Sequence, residues 1–203
     1  MPAYSIPEPE TLLREIQASH ERCRQFGVDP NDTRNLLQNR LKPEELAVRL
    51  EQNREFLEIA SAQIGELYQF VADAGFAVNI ADNEGYILHI IGDKPVLEEL
   101  AAGNCCPGYR WTEKDVGTSV ISLALAREIP VQINDDEHFC RRGHGHTCSA
   151  SPVFDPDNQL VGVIAMSGDA AKVHPHTLGM VITAARAIEN QLRIQKTSKE
   201  LKL

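Results

Sequence analysis

The sequence predicts an α+β fold in which β-hairpins build an antiparallel sheet and long helices lie at both ends of the chain. Two pairs of short apolar segments are each joined by turn-forming residues, which is the pattern of a β-hairpin. The segments before and after them carry apolar residues at helical spacing. At 203 residues, the chain suits one domain with a helical extension and is long enough to bury a sizeable core.

An N-terminal helical extension is predicted over residues 1–43. Residues 10–26 place apolar side chains at helical spacing, and Gly27 suits the position just after a helix end. A second short helix, through residues 36–37, is expected to stop before Pro43, because the residue that precedes a proline avoids the α region. The extension therefore precedes the part of the chain that carries the sheet.

One long helix is predicted over residues 44–73, a segment that contains no proline. Its apolar residues follow one another in alternating steps of four and three, the seam of a coiled coil, and Asn53 occupies one seam position. A polar residue there often fixes the register of a parallel dimer, so a homodimer through this connecting helix is predicted. The alternative is that the stripe packs on the chain's own sheet. Besides Asn53, the stripe comprises Leu46, Leu50, Leu57, Ala60, Ile64, Leu67 and Val71.

Residues 74–203 are predicted to form the domain that contains the sheet and ends in a second long helix. Strands are distinguished from helices there by short apolar runs between turn residues, as against apolar steps of three and four. The predicted strands are 76–80 and 86–91 in one hairpin, 130–133, and 148–154 and 160–167 in a second hairpin. The predicted helices are 97–102, 118–128 and 178–201.

The composition excludes several classes of function. The formal net charge is −9 at pH 7, whereas direct binding of nucleic acid needs a clustered surplus of Lys and Arg. No apolar run approaches the roughly 20 residues that cross a bilayer, and the first residues do not resemble a secretory signal, so no membrane partner is expected. The five cysteines are an odd number, which favours free thiols in a cytoplasmic protein over a secreted disulfide framework.

Cysteine and histidine residues cluster within residues 137–148 and raise the alternative of a zinc site. The spacing lacks the Cys-x-x-Cys pair of a zinc finger, and a strand beginning at residue 148 would direct that side chain by sheet pleating. A histidine-rich surface loop is the simpler interpretation, so neither a metal nor another cofactor is predicted. The ligands of the alternative zinc site would be Cys140, His144, His146 and Cys148.

A redox switch at Cys105 and Cys106 is a further alternative, because adjacent thiols are able to form a strained, reducible disulfide. Of the neighbouring residues, only Lys94 and Arg110 carry a charge that would lower the pKa of a thiol. Two unreactive thiols in a loop or pocket are therefore the simpler interpretation.

A small-molecule pocket suits the sequence better than catalysis does. The common phosphate-binding, hydrolase and metalloprotease motifs are missing, and pairing Ser119 or Cys148 with His138 as nucleophile and base is possible on paper in many sequences, so no enzyme is predicted. Trp111 lies beside charged residues in a loop, and Thr118 and Ser119 open a helix with hydroxyls and N–H groups that suit a carbonyl or hydroxyl ligand. The alternative is that Thr118 is the N-cap and Trp111 belongs to the core.

A series of short segments, in order along the chain, resembles the regulators of acetoin catabolism. Their order and spacing make the resemblance specific, and it covers nearly the whole chain from about residue 19. The segments are SHERCR (19–24), FGVDP (26–30), WTE (111–113), VGT (116–118), EHF (137–139), CSASPV (148–153), DP (155–156), SG (167–168), HPHTL (174–178) and AARAIE (184–189).

This resemblance implies a GAF-type sensor domain, an antiparallel sheet with helices packed on one face and a ligand pocket between them. In such sigma-54-dependent activators the sensor precedes an ATPase domain and a DNA-binding domain, and it responds to a small effector such as a ketone, alcohol or diol. The helices at 44–73 and 178–201 would then pass the signal to these downstream domains. The expected pocket residues are Trp111, Thr118, Ser119, His138, Phe139 and Cys148, with Ser119 and His138 as polar contacts.

Three positions and one loop depart from the pattern of that family, the loop being NCCP (104–107). Ser119 stands where the family commonly has Asn, and Ser122 where it usually has Gly. Ala165 stands in a strand at the position of an acidic residue. If Ser119 and the pair of cysteines line the pocket, the effector is expected to differ from acetoin.

Overall fold

The computed structural model describes residues 6–31 and 39–201 and confirms the α+β fold. Within these residues a five-stranded sheet is combined with seven α-helices. The strands are β1 (Phe76–Asp82), β2 (Ile87–Gly92), β3 (Val131–Asn134), β4 (His146–Phe154) and β5 (Leu160–Asp169). The helices are α1 (Pro9–Gln25), α2 (Pro43–Gln52), α3 (Arg54–Gln69), α4 (Lys94–Ala102), α5 (Glu113–Val116), α6 (Val120–Arg127) and α7 (Pro175–Glu200).

The sheet is antiparallel throughout and has the strand order β2-β1-β5-β4-β3. The β1–β2 and β4–β5 pairs are the two hairpins that the turn residues predict. The register places Asn79 of β1 opposite Ala165 of β5, and Ser167 of β5 opposite Cys148 of β4. Because side chains alternate between the faces of a strand, and paired residues share a face, these four residues lie on one face of the sheet.

Helices cover both faces of the sheet. On one face, α3 and α7 pack their apolar stripes onto the strands, and Ile64 and Ile188 lie with Val78 in this core. On the opposite face, the shorter helices α4 and α6 cover the strands, and Leu100 and Leu123 belong to this second core. The α3–α7 pair is the layer of helices that was expected on one face of the sheet, and the helices on the other face are an addition to that expectation. The second face is covered less continuously, and the cavity described below lies there.

The prediction of one long helix over residues 44–73 is wrong, because this segment forms two helices, α2 and α3, that are separated at Asn53. The backbone of Asn53 has φ −99° and ψ 11°, and its side-chain Nδ2 donates to the carbonyl of Arg49 at 2.9 Å. Asparagine competes in this way for backbone hydrogen bonds and interrupts helices. Helix α2 buries no residue, and Arg49 holds it against the β1–β2 turn by an ion pair with Asp82 at 2.5 Å and a contact over the Tyr86 ring at 4.2 Å.

The second half of the predicted apolar stripe packs on the chain's own sheet, which is the alternative that we gave to a coiled-coil dimer. Ala60, Ile64, Leu67 and Val71 are buried in the core beneath α3. The stripe of α7, which includes Val181, is buried in the same core. A homodimer stays a prediction, but the buried half of the α3 stripe is not available for it. None of the described helices is both long and apolar enough to cross a membrane.

Helix α1 forms the described part of the N-terminal extension and packs against the domain. Ile16 is buried in the core beside α6, and Cys23 is fully buried. The helix ends at residue 25, and Gly27 follows with φ +72°, a left-handed conformation that favours glycine. The second predicted helix, through residues 36–37, lies outside the described residues.

Candidate functional site

A cavity of about 160 Å³ lies on the α6 side of the sheet. Three small polar side chains from adjacent strands form its floor: Asn79 of β1, Ser167 of β5 and Cys148 of β4. Its wall is the first turn of α6 with the residues before it, 118–121, and its roof is the segment 138–146. The short side chains of the floor leave open the space that larger apolar residues fill elsewhere in the core.

Five of the six predicted pocket residues meet at this cavity. Phe139 does not line it, because its ring packs against Gly117 and meets the ring of His20 edge-on at 5.5 Å. The preceding residue, His138, has an extended backbone (φ −69°, ψ 133°) and faces the cavity, so the next side chain is directed away from it. The five that line the cavity are Trp111, Thr118, Ser119, His138 and Cys148.

The first turn of α6 combines a capping box with free amides. Ser119, and not Thr118 as one alternative expects, is the N-cap: its Oγ accepts from the amide of Ser122 at 3.2 Å, and the Oγ of Ser122 accepts from the amide of Ser119 at 2.8 Å. The amides of Val120 and Ile121 have no hydrogen-bond partner among the described residues, and both residues line the cavity. An α-helix leaves its first N–H groups unpaired, so these two are donors for a ligand.

Thr118 connects the cavity wall to the N-terminal extension. Ser19 of α1 donates to Glu113 at 2.6 Å, so the Thr118 hydroxyl, 2.7 Å from Ser19 Oγ, donates to Ser19. The Sγ of Cys23 lies 3.5 Å from the same threonine hydroxyl. The carboxylate of Glu113 also accepts from Arg22, at 2.6 and 2.8 Å. A buried chain of polar groups therefore joins α1 to the cavity.

His138 contributes a neutral imidazole to the roof. Its Nδ1 lies 3.0 Å from the carbonyl of Asp135, which only accepts, so Nδ1 carries the proton and Nε2 is the acceptor. Burial lowers the pKa of His138 to about 4, and the ring is uncharged at neutral pH. His144 donates from Nε2 to the carbonyl of His138 at 3.2 Å and steadies this part of the roof.

Trp111 closes one side of the cavity and is half-buried. Its indole Nε1 donates to the carbonyl of Asn104 at 3.2 Å, which fixes the plane of the ring. The guanidinium carbon of Arg142 lies 5.6 Å from the ring centroid, within reach of a cation–π contact. Trp111 thus packs partly against apolar residues and also lines the cavity, so the two predicted roles hold together.

Sequence reasoning missed Asn79, Arg142 and Ser167, all of which line the cavity. Asn79 is 1% exposed, and neither atom of its side-chain amide has a partner among the described residues. A single polar residue in the apolar run FAVNIA is the signal that was available. Ala165, where the family pattern has an acidic residue, lies opposite Asn79 in register. The departures at Ser119 and Ala165 therefore fall at or beside the cavity.

The thiols show no sign of redox activation. All five cysteines are unpaired. Burial raises the pKa of Cys105 and Cys106, and it raises the pKa of Cys148 to about 11. Because the thiolate is the reactive form, a raised pKa makes a thiol less reactive.

The four residues of the alternative zinc site are not assembled around one point. The Sγ of Cys140 is turned toward the carbonyl of Asp29, at 3.9 Å, and the Sγ of Cys148 donates to Ser167 at 3.2 Å. Within residues 6–31 and 39–201, no group of three or more His, Cys, Asp or Glu side chains is arranged to hold a metal ion. The described structure therefore offers zinc no set of ligands.

The described residues thus form an antiparallel sheet with helices on both faces and a partly open cavity above its floor. Residues 55–192 match the model of the GAF domain, and the chain belongs to this family. The predicted GAF-type domain is thereby confirmed.

Two relatives that match most of the chain are named as regulators of transcription. It is 34% identical over 191 residues to a signal-transduction and transcriptional-control protein of Clostridium beijerinckii, covering 92% of this chain and 29% of that protein. It is 32% identical over 192 residues to the acetoin dehydrogenase operon transcriptional activator AcoR of Bacillus subtilis (strain 168), covering 95% and 31%. The chain thus spans about three tenths of the length of these relatives.

The fold also has a solved counterpart. A chain in the crystal structure of the E. coli DhaR(N)-DhaL complex superimposes with a TM-score of 0.88 at 23% sequence identity. The match covers 93% of this chain and 63% of that chain. A match of this coverage extends beyond residues 55–192 and takes in most of the N-terminal extension as well.

Proposed function

We propose that this chain is the sensory region of a sigma-54-dependent transcriptional activator and that it binds a small metabolite in the cavity beside α6. The observation that carries the proposal is the convergence of five predicted pocket residues on one cavity. An apolar lining with a few unpartnered polar groups is the usual form of a small-molecule site. The regulatory names of the relatives support a role without catalysis.

The size and chemistry of the cavity define the class of effector. A volume of about 160 Å³ is close to the ~150 Å³ of an engineered cavity that binds benzene, so the effector is a small metabolite. The amides of Val120 and Ile121 and the amide of Asn79 supply hydrogen bonds to oxygen atoms of a ketone, alcohol, diol or similar compound. The polar residues predicted from the sequence, Ser119 and His138, lie in the same lining.

The effect of ligand binding is transmitted from the cavity through its wall, residues 118–121. A ligand that contacts residues 118–121 favours one position of Thr118, which is hydrogen-bonded to α1 through Ser19. The effector shifts the population toward the arrangement that it binds better, and the packing of α1, α3 and α7 changes with it. In this proposal α7, which continues past the domain, carries the change to the ATPase domain of the full-length protein.

The remaining parts of the activator lie outside this chain. The chain spans about three tenths of its relatives, and the ATPase and DNA-binding domains belong to the rest. The net charge of −9 fits a sensor that does not itself contact nucleic acid. The protein acts in the cytoplasm, as its five unpaired thiols suggest, and as a homodimer whose contact is not the buried half of the α3 stripe.

A thermal-shift screen of small ketones, alcohols, diols, acids and aromatics tests the proposal, with Trp111 fluorescence as a second measurement. A compound of at least one class raises Tm and changes the fluorescence. Cys148→Met, which fills the cavity, removes the shift, whereas Cys106→Met, whose thiol lies outside the lining, keeps it. Failure of every class to raise Tm, or an undiminished shift in Cys148→Met, would contradict the proposal.

A further inference from the structure

Arg142 places a cation at the cavity, on a side chain that is half-buried as a whole but whose two terminal nitrogens are buried. It lies in the short 3₁₀ turn Arg141–Gly143 of the roof, and its Nη1 and Nη2 atoms are buried without a hydrogen-bond partner among the described residues. A buried guanidinium without a counter-ion is costly, because it has lost its water and gained no acceptor. Each unsatisfied buried group of this kind calls for a partner, and a ligand in the cavity is one.

No protein group in the described residues supplies that partner. Glu99 is the one carboxylate of the cavity lining, but its side chain is 65% exposed and lies 3.3 Å from Nε2 of His146. The neighbouring thiols of Cys105 and Cys140 supply no anion either, because burial raises the pKa of both and keeps them protonated. The Trp111 ring attracts the cation at 5.6 Å and accepts no conventional hydrogen bond. The N–H groups on Nη1 and Nη2 of Arg142 therefore remain free to donate two hydrogen bonds to one ligand.

Asn79 gives an independent indication of a polar ligand. It comes from the floor, on a different element from Arg142, and is 1% exposed. Its Oδ1 and Nδ2 have no partner in the described residues, so one acceptor and one donor group face the cavity unsatisfied. A ligand with a carbonyl or hydroxyl group satisfies this amide, and a second, anionic group satisfies the guanidinium.

Resting on the proposed function, the geometry points to a small oxo or hydroxy acid as the effector. Its carboxylate binds the guanidinium of Arg142 in a bidentate, charge-assisted pair, and its carbonyl or hydroxyl oxygen binds Asn79. The cavity admits an acid of about three to six carbon atoms, judged from the ~150 Å³ that holds benzene. Of the ketones and alcohols proposed above as effectors, only those that also carry a carboxylate meet this requirement.

Calorimetric titration of matched pairs tests this assignment: lactate, 2-hydroxybutyrate and 2-hydroxyhexanoate, each against its primary amide, together with 2-oxobutyrate. At least one acid binds about 30-fold or more tightly than its amide, because only the acid neutralises Arg142. Arg142→Met removes this preference, and Arg141→Met, at the exposed neighbour, retains it. Amides that bind as tightly as the acids would overturn the assignment of an acid while leaving a sensor of neutral metabolites. No binding by acids, amides or any compound of the wider screen would overturn both proposals.

A second measurement needs no ligand. Replacing an unpaired buried charge by an apolar side chain of similar length stabilises a fold, so Arg142→Met raises Tm by about 2 to 5 °C in the absence of ligand. Arg141→Met leaves Tm within about 1 °C, because its side chain is exposed. A fall of Tm in Arg142→Met would show that the guanidinium serves the fold rather than a ligand, and would overturn the assignment.

Discussion

The hydroxyl of Ser19 in α1 lies 2.7 Å from the hydroxyl of Thr118 in the cavity wall. Both side chains are buried, at 0% and 1% exposure, so neither hydroxyl has water as an alternative partner. Because Ser19 uses its single hydroxyl proton to donate to Glu113, Thr118 is the donor and Ser19 the acceptor in the hydrogen bond between them. A ligand that moves the wall therefore acts on the N-terminal extension, which docks through these same groups.

The ion pair between Arg22 and Glu113 follows the hydrogen bonds from Thr118 through Ser19 and attaches α1 to the domain. Glu113→Gln lowers the free energy of unfolding by about 2 to 3 kcal/mol, because it removes the charge that accepts from Arg22 and leaves that guanidinium partly buried. Urea denaturation measures the change. Glu21→Gln is the matched control: its ion pair with Arg24 is about 60% exposed on both sides, and it changes stability by less than about 0.5 kcal/mol. Equal effects of the two variants would contradict this attachment.

Gly117 allows the chain to turn sharply between α5 and α6. It has φ +71°, and a Cβ there would lie 2.7 Å from Cδ1 of Phe139. Gly117→Ala therefore lowers the free energy of unfolding by about 2 kcal/mol or more, from strain and overlap together. Gly27→Ala has nearly the same φ, +72°, with no atom within 4 Å of its Cβ, so it costs only the strain of about 1 kcal/mol. Thermal or urea unfolding distinguishes them, and an equal loss would contradict the predicted overlap.

His138 makes stability depend on pH. Its folded pKa is lowered from 6.5 to about 4: burial is the main cause, Asp135 opposes the lowering, and His146 and His144 contribute to it. The unfolded state then binds more protons, so the stability present above pH 6.5 falls by about 3 kcal/mol as the pH drops to 4.

The variant His138→Asn isolates this contribution. The difference in free energy of unfolding between wild type and variant changes by about 3 kcal/mol between pH 7 and pH 4, while other titrating groups, such as Asp82, are common to both proteins. Urea denaturation across this range is the measurement. A difference that stays constant with pH would show that His138 is not held neutral by burial.

The thiols differ in access to solvent. Cys106 is half-buried and the other four cysteines are buried, so in the folded chain we expect a thiol reagent to label Cys106 first. Cys106→Ser removes the rapid reaction, and the remaining thiols react at the rate of unfolding. The expected thiol count does not change on adding reductant. Rapid labelling of Cys105, or a count that rises with reductant, would support a redox switch.

The strands and hairpins were predictable because their signals are local. Short apolar runs and the turn at Asp82 determine the first hairpin, and the amides of Glu84 and Tyr86 bind the Asp82 carboxylate at 3.0 Å. The start of α6 was readable to within two residues from its hydroxyl side chains. Most of the pocket residues followed from these elements together with the resemblance to the family.

The missed features depend on contacts between distant segments. Asn79 and Arg142 are 63 positions apart, and no local pattern shows that β1 and the roof face the same cavity. The break at Asn53 was missed because the apolar spacing continues through it. What fixes α2 is the ion pair of Arg49 with Asp82, a contact that sequence spacing does not encode.

A map of amide chemical shifts tests most directly whether the cavity is the effector site. The uniformly ¹⁵N-labelled chain is titrated with the compound that raises its Tm most. The account predicts the largest changes at Val120, Ile121 and Arg142, with smaller changes reaching Ser19 in α1. Largest changes in the groove between α3 and α7, which Gln52, Asn53 and Lys196 line, would contradict it.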